Sequence, residues 1–159
     1  MTKIPKASEI YLDTSFLAPY LLAPHQKYKK AQKLMARLLI GSNRLVLSAL
    51  VLDETMHVIK EILQSQEDAT NLKKGKNHKD YISDIREAVD TVIQNSNFRI
   101  TQFNNEIDGC RKAVDNIDNF TLRPRDAFHL SYMQDQSIDY IVAGDKKFGK
   151  ISACKNIDF

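Results

Sequence analysis

The chain has 159 residues, 43% hydrophobic and 27% charged, with few Gly or Pro, a composition that fits one globular domain over residues 1–159 and excludes a low-complexity or disordered chain. No apolar run approaches the roughly 18 residues needed to cross a bilayer, and the N-terminal MTKIPKASEIYLD has no apolar core of a signal peptide, so a cytoplasmic protein with no membrane partner is predicted. The net charge is +3; gathering four acids at one site leaves the remainder about +7, a surface able to hold a polyanion.

Residues 9–12, Glu-Ile-Tyr-Leu, read as a short strand ending at Asp13. Thr14 or Ser15 can cap a short helix over Phe16 to Leu22. Ala31, Leu34, Met35, Leu38 and Leu39 recur at helical spacing within 26–40, and Gly41 reads as the residue that ends this helix. Arg44 to Leu47 is a strand, and Ser48 can cap a long helix from Ala49 to about Gln66. LKKGKNHKD, residues 72–80, reads as a polar basic loop, followed by a helix marked by Tyr81, Ile85, Ala88 and Val92. The section 49–95 is expected to form a protruding helical pair. Phe98 to Phe103 alternates like a strand, 105–118 is a helix with Ile107, Cys110, Val114 and Ile117, and Pro124 opens a helix to about Gln136. Tyr140 to Ala143 is the last predicted strand, running through Gly144 into Asp145. Strands alternating with helices predict an α/β fold around a central parallel sheet. Cys110 and Cys154 belong to no CxxC pair and read as reduced thiols.

Parallel sheets bind ligands at the carboxyl ends of their strands. Asp13 ends the first strand and Asp145 the last; Glu54 follows the second strand by a short stretch of helix, and Asp126 lies in the first turn behind Pro124. These four acids are expected to converge at one edge, although Asp53 competes with Glu54 for the role. Each has a bland reading as well: Asp13 as a cap, Glu54 as a solvated helix residue, Asp126 as a partner of the helix dipole, Asp145 as a turn residue. Clustered carboxylates take up protons unless a cation neutralises them, and hard oxygen ligands suit Mg²⁺ or Mn²⁺. Such an ion activates water and stabilises charge on a phosphoryl oxygen, which points to phosphodiester hydrolysis.

YLDTSFL, SALVLDE, RPRDAFHL and IVAGDKKF, in this order, resemble the acidic motifs of PIN-domain ribonucleases, in particular VapC-like toxins. The resemblance covers most of the chain; about 65–97 is the least matched section and reads as a helical insertion. It implies a three-layer α/β/α fold with Asp13, Glu54, Asp126 and Asp145 holding Mg²⁺ or Mn²⁺ for RNA cleavage, and Ser15 steadying Asp13. It further implies a toxin of a toxin–antitoxin pair, an RNA substrate, a small antitoxin partner and a homodimer. Lys146 and Lys147 become candidates for phosphate contact. The family often carries Thr or Ser two residues before the last acid, where this chain has Ala143.

Three other readings compete. Glu54-Thr-Met-His57 and Asp126-Ala-Phe-His129 both place an acid and a histidine at i, i+3, the spacing of di-iron sites in four-helix bundles; the strand signals oppose a bundle, and His129, beside Phe128 and Leu130, reads more naturally as a hydrogen-bonded core histidine. A PIN-like scaffold that binds RNA or protein without cutting would keep the acids. A phosphatase with an aspartyl nucleophile would show D-x-D, but the second residue after Asp13 is Ser15.

Overall fold

Three consecutive residues, Ile10, Tyr11 and Leu12, have no exposed surface. Successive strand side chains point to opposite faces, so this strand must be covered on both. The computed structural model, which describes residues 3–70 and 77–159, shows the cover. The described residues form strands β1 (Glu9–Leu12), β2 (Arg44–Ser48), β3 (Phe98–Thr101), β4 (Tyr140–Ala143) and β5 (Lys155–Asp158). They make one sheet in the order β3-β2-β1-β4-β5, and every neighbouring pair is parallel. The helices around it are α1 (Thr14–Leu21), α2 (Tyr28–Ile40), α3 (Ala49–Thr70), α4 (Ile82–Ile93), α5 (Glu106–Phe120) and α6 (Pro124–Asp135). The predicted α/β fold with a central parallel sheet is therefore present, and it removes the four-helix-bundle reading.

Ile10, Leu12, Leu45, Leu47, Ile141 and Val142 are fully buried in the main core, together with Ala31 and Leu38 of α2 and Leu130 and Met133 of α6. A second apolar cluster, Leu22, Ile59, Tyr81, Ile85 and Ala88, joins α3 to α4 and to the end of α1. This is the helical pair expected from 49–95. Of the polar loop expected over 72–80, residues 72–76 lie outside the described residues; Asn77 caps a short 3-10 turn, His78–Tyr81, with Asp80 returning a bond to the Asn77 N–H at 3.1 Å.

Four local readings change. Asp13, not Thr14 or Ser15, caps α1: its carboxylate accepts the Ser15 N–H at 3.0 Å and the helix begins one residue on, at Thr14. Gly41 ends α2 at φ −72°, and Ser42 takes the left-handed conformation at φ 55°. The chain also continues past β4 through a 3-10 turn, Phe148–Lys150, into β5, an edge strand with a buried Asn156 that pairs with the Ala143 backbone at 3.1 and 3.2 Å. KNID carries one aliphatic residue, too little pattern to read as a strand.

The fourth change is in α5. Its apolar stripe faces outward: Ile107 is 65% and Val114 64% exposed, while Gly109, Ala113 and Asn116 are buried. Small residues win the inner face because α5 lies close against α6. Gly109 lies under the Phe103 ring, which stacks on Tyr132 at 3.8 Å, and a Cβ added at Gly109 would meet ring carbons at 2.5 Å. The Gly109 carbonyl also accepts the Ser131 hydroxyl at 2.7 Å. A helix-interior Gly→Ala change normally stabilises by up to about 1 kcal/mol. Here Gly109→Ala is expected to destabilise by about 1–3 kcal/mol through overpacking, read as a lower midpoint in thermal or urea unfolding; an unchanged or higher midpoint would refute the close packing.

Candidate active site

Leaving β1 the chain turns toward β2, and leaving β4 it turns toward β5, in opposite directions along the sheet. Such a reversal opens a crevice at the carboxyl ends of the two strands. A cleft of about 500 Å³ lies there, lined by Asp13, Glu54 and Asp126 together with Arg125, His129 and Lys27.

Each acid is delivered by a different element. Asp13 follows β1 directly; its N–H bonds the Val142 carbonyl at 3.1 Å and its own carbonyl accepts the N–H groups of Phe16 and Leu17, both at 3.0 Å. The Ser15 hydroxyl donates a short hydrogen bond to the Asp13 carboxylate and accepts the Gly144 N–H at 2.7 Å. One hydroxyl thus ties the ends of β1 and β4 together beside the acid. Glu54 comes from the second turn of α3 and is 9% exposed, whereas Asp53 faces solvent, which decides between them. Asp126 lies in the first turn of α6, where Pro124 starts the helix.

Glu54 is fixed from several sides. Its Oε2 accepts the Thr14 hydroxyl at 2.7 Å and meets His129 Nε2 at 3.0 Å, and its Oε1 lies 3.5 Å from the Arg125 guanidinium. His129, 1% exposed, is also 3.6 Å from Asp13 and shares a 3.1 Å hydrogen bond between Nδ1 and the Tyr11 hydroxyl, which in turn meets Ser48 at 2.7 Å. With Nε2–H donating to Glu54, the Tyr11 hydroxyl can meet Nδ1 as donor or acceptor, and the line Ser48–Tyr11–His129–Glu54 is satisfied throughout. His129 is the core histidine the sequence suggested, but its partners are two of the acids. Its i, i+3 spacing from Asp126 was the available signal. His57, by contrast, turns to His78, with ring nitrogens 3.2 Å apart.

Asp145 does not line the cleft. It is exposed in the turn after β4, and its carboxylate accepts the Lys147 N–H at 2.9 Å. Its charge nevertheless reaches Asp126. Ala143 is 2% exposed and part of the apolar core. Lys146 is exposed, and the Lys147 side chain lines a separate hollow.

The electrostatics separate the acids. Burial tends to raise Glu54, but the His129 hydrogen bond and charge, the Thr14 hydroxyl and Arg125 outweigh it and hold the carboxyl below its ordinary range. Asp126 is pushed upward by burial first, then by the charges of Asp13 and Asp145, which His129 and Lys147 only partly offset. Burial also raises the Tyr11 phenol, which stays neutral. One oxygen each of Asp13 and Glu54 and one His129 nitrogen lie within 4.8 Å of one another. Oxygens of Asp13 and Glu54 converging in an open cleft, with the crowded Asp126 carboxyl beside them, fit a hard divalent cation. His129, already engaged by Glu54 and enclosed, suits the role of holding that ligand in place.

The family model described as the PIN domain matches residues 10–153. The fold is similar to that of Mycobacterium tuberculosis VapC20, a sarcin-ricin-loop-cleaving toxin, at 18% identity and a TM-score of 0.63, over 89% of this chain and 93% of that one. It is also similar to VapBC2 from Rickettsia felis, solved bound to a DNA fragment from its promoter, at 15% identity and a TM-score of 0.57, over 94% of this chain and 98% of that one. No curated protein matches the chain.

A carboxyl that titrates higher in the fold than in the unfolded chain costs stability once it ionises. For Asp126 that cost is absent well below the ordinary value of 3.8, sets in as pH rises through the folded value, and is complete at neutral pH. Without divalent ions, Asp126→Asn is therefore expected to gain about 1–2 °C in unfolding midpoint relative to wild type between pH 4 and pH 7.5, after discount for partial exposure. A difference that does not change with pH would refute the charge crowding.

Proposed function

The chain belongs to the PIN domain family, and on that premise we propose that it is a metal-dependent endoribonuclease, a single domain acting as the cytoplasmic toxin of a toxin–antitoxin pair. The observation that carries the reading is the meeting of Asp13, Glu54 and Asp126 from three elements in one open cleft at the carboxyl edge of the sheet. Asp13, Glu54 and Asp126 would hold Mg²⁺ or Mn²⁺, with Asp145 at the rim adding charge. When bound, such an ion supplies a polarised water and a counter-charge for a phosphoryl oxygen.

The chain's own residues do the rest. Ser15 keeps the Asp13 carboxylate aimed into the cleft, and Thr14 and His129 hold Glu54 in one orientation. Asp126, whose carboxyl is raised by burial and by the charges of Asp13 and Asp145, is the cleft acid that a bound cation would relieve most. Arg125, 70% exposed at the side chain and reaching Glu54, can turn to a phosphate of the entering strand.

The toxin role is supported by the likeness in fold to a sarcin-ricin-loop-cleaving toxin, and a small antitoxin partner follows from that role. The homodimer is supported by α5, whose exposed Ile107, Val114 and Ile117 with Cys110 form one apolar stripe. Two copies of this face would bury it isologously.

With structured and total cellular RNA, the wild type is expected to cut in Mg²⁺ or Mn²⁺, not in EDTA, and Asp13→Asn to lose at least about 100-fold in rate while keeping its fold. A folded wild type that cuts neither RNA with either ion, or an Asp13→Asn variant of full activity, would overturn the reading. For the dimer, Val114→Asp is expected to turn a sedimenting dimer into a folded monomer; an unaltered dimer would remove α5 from the interface.

A further inference from the structure

A second hollow, about 350 Å³, opens between the end of α5, the connection into α6 and the 3-10 turn after β4. Its floor is apolar, with Leu122 and Ile151 less than a tenth exposed. Phe120, half-buried, forms one wall and stacks on no other ring among the described residues. Lys147 and Lys150 stand on the rim, both exposed, and neither has an ion-pair partner within 4.0 Å among the described residues. Phe148, 1% exposed, anchors the turn that carries Lys150.

The hollow adjoins the cleft along the chain: the N–H of Lys147 bonds the Asp145 carboxylate at 2.9 Å, and Leu122 on the floor lies four residues before Asp126, which lines the cleft. The wall itself is held in an unusual backbone. Thr121 ends α5 at φ 53°, a left-handed conformation that a β-branched residue rarely adopts and that costs about 1 kcal/mol or more. Local strain of this kind gathers where a surface is shaped for a ligand.

An apolar floor, an unstacked aromatic ring and two unpaired ammonium groups on one rim suit a ligand with a flat π-face and an anionic backbone. The volume is that of a small-molecule site, and a single nucleotide fills it. We propose that this hollow is a nucleotide subsite: it takes one nucleotide of a single-stranded RNA segment flanking the phosphate held in the cleft, with the base against Phe120 and phosphates at Lys147 and Lys150. The inference rests on the nuclease reading for the phosphate in the cleft, but the binding it describes needs no cleavage.

The test uses Asp13→Asn protein, so that binding is separated from cutting, and a labelled single-stranded RNA of about a dozen nucleotides followed by fluorescence anisotropy over a salt series. In this background Lys150→Ala is expected to weaken binding about 3–10-fold and to reduce the salt slope by about 0.7, the release of one single-strand counterion. Phe120→Leu is expected to weaken binding about fivefold or more with the slope unchanged. Lys33→Ala, an exposed position on α2, serves as the control and binds as the parent does. If Phe120→Leu does not fold, the exposed Lys150→Ala decides alone. Affinity and salt slope equal to the control in the subsite variants would overturn the proposal. Weakened binding from a protein whose wild type cuts no RNA would support the subsite while overturning the nuclease reading.

Discussion

The hydrogen bond from the Asp13 N–H to the Val142 carbonyl, 3.1 Å long, joins the ends of β1 and β4 just where both strands stop. From that point the residue serves two structures at once. Its backbone carbonyl receives the first N–H groups of α1, and its carboxylate caps the same helix while facing the cleft. A capping carboxylate is steadied by the unsatisfied N–H groups of the helix start, so the backbone itself holds the Asp13 charge beside the other acids. Ser15 completes the arrangement by bonding both this carboxylate and the Gly144 N–H. The sheet edge and the acidic cleft are thus one construction.

Behind Glu54 lies a polar line that an apolar core would normally exclude. Tyr11 and Ser48 are wholly buried and His129 nearly so, and unpaired polar atoms in such a place cost about 1–3 kcal/mol each. None goes unpaired: no buried side-chain nitrogen or oxygen among the described residues lacks a partner. Because burial keeps the Tyr11 phenol protonated, its hydroxyl bonds both Ser48 and His129 and keeps the imidazole Nε2 aimed at Glu54. A carboxylate gripped in this way does not swing as the charge in the cleft changes.

Much of this was legible in the residues. The apolar runs at 9–12, 44–47 and 140–143 became central strands because they are buried on both faces, and acids just past such runs had to lie at the sheet's edge. Glu54 over Asp53 was not legible, since adjacent helix residues differ in facing only once the helix is docked. Nor was the facing of α5. Its aliphatic stripe has a regular period, yet the inner face belongs to Gly109, Ala113 and Asn116, because close approach of two helices favours small side chains over large ones. β5 escaped notice because its pairing depends on Asn156 and the backbone of Ala143 more than on apolar pattern. Asp145 marked the correct edge while lying outside the cleft lining, a distinction set by the turn that bends its carboxylate back to the Lys147 N–H.

The strand order has a kinetic consequence. β1 is made first, but one of its two neighbours, β4, comes some 130 residues later, with Ile10 opposite Tyr140. Contacts so distant along the chain form late, after the loop between them has closed. A chain emerging from a ribosome can assemble β1, β2 and β3 with their helices while Asp126 and the Ser15–Gly144 tie are still missing. Asp13 and Glu54 can therefore approach each other early, but the full set of acids meets only after α6 and β4 have joined the sheet.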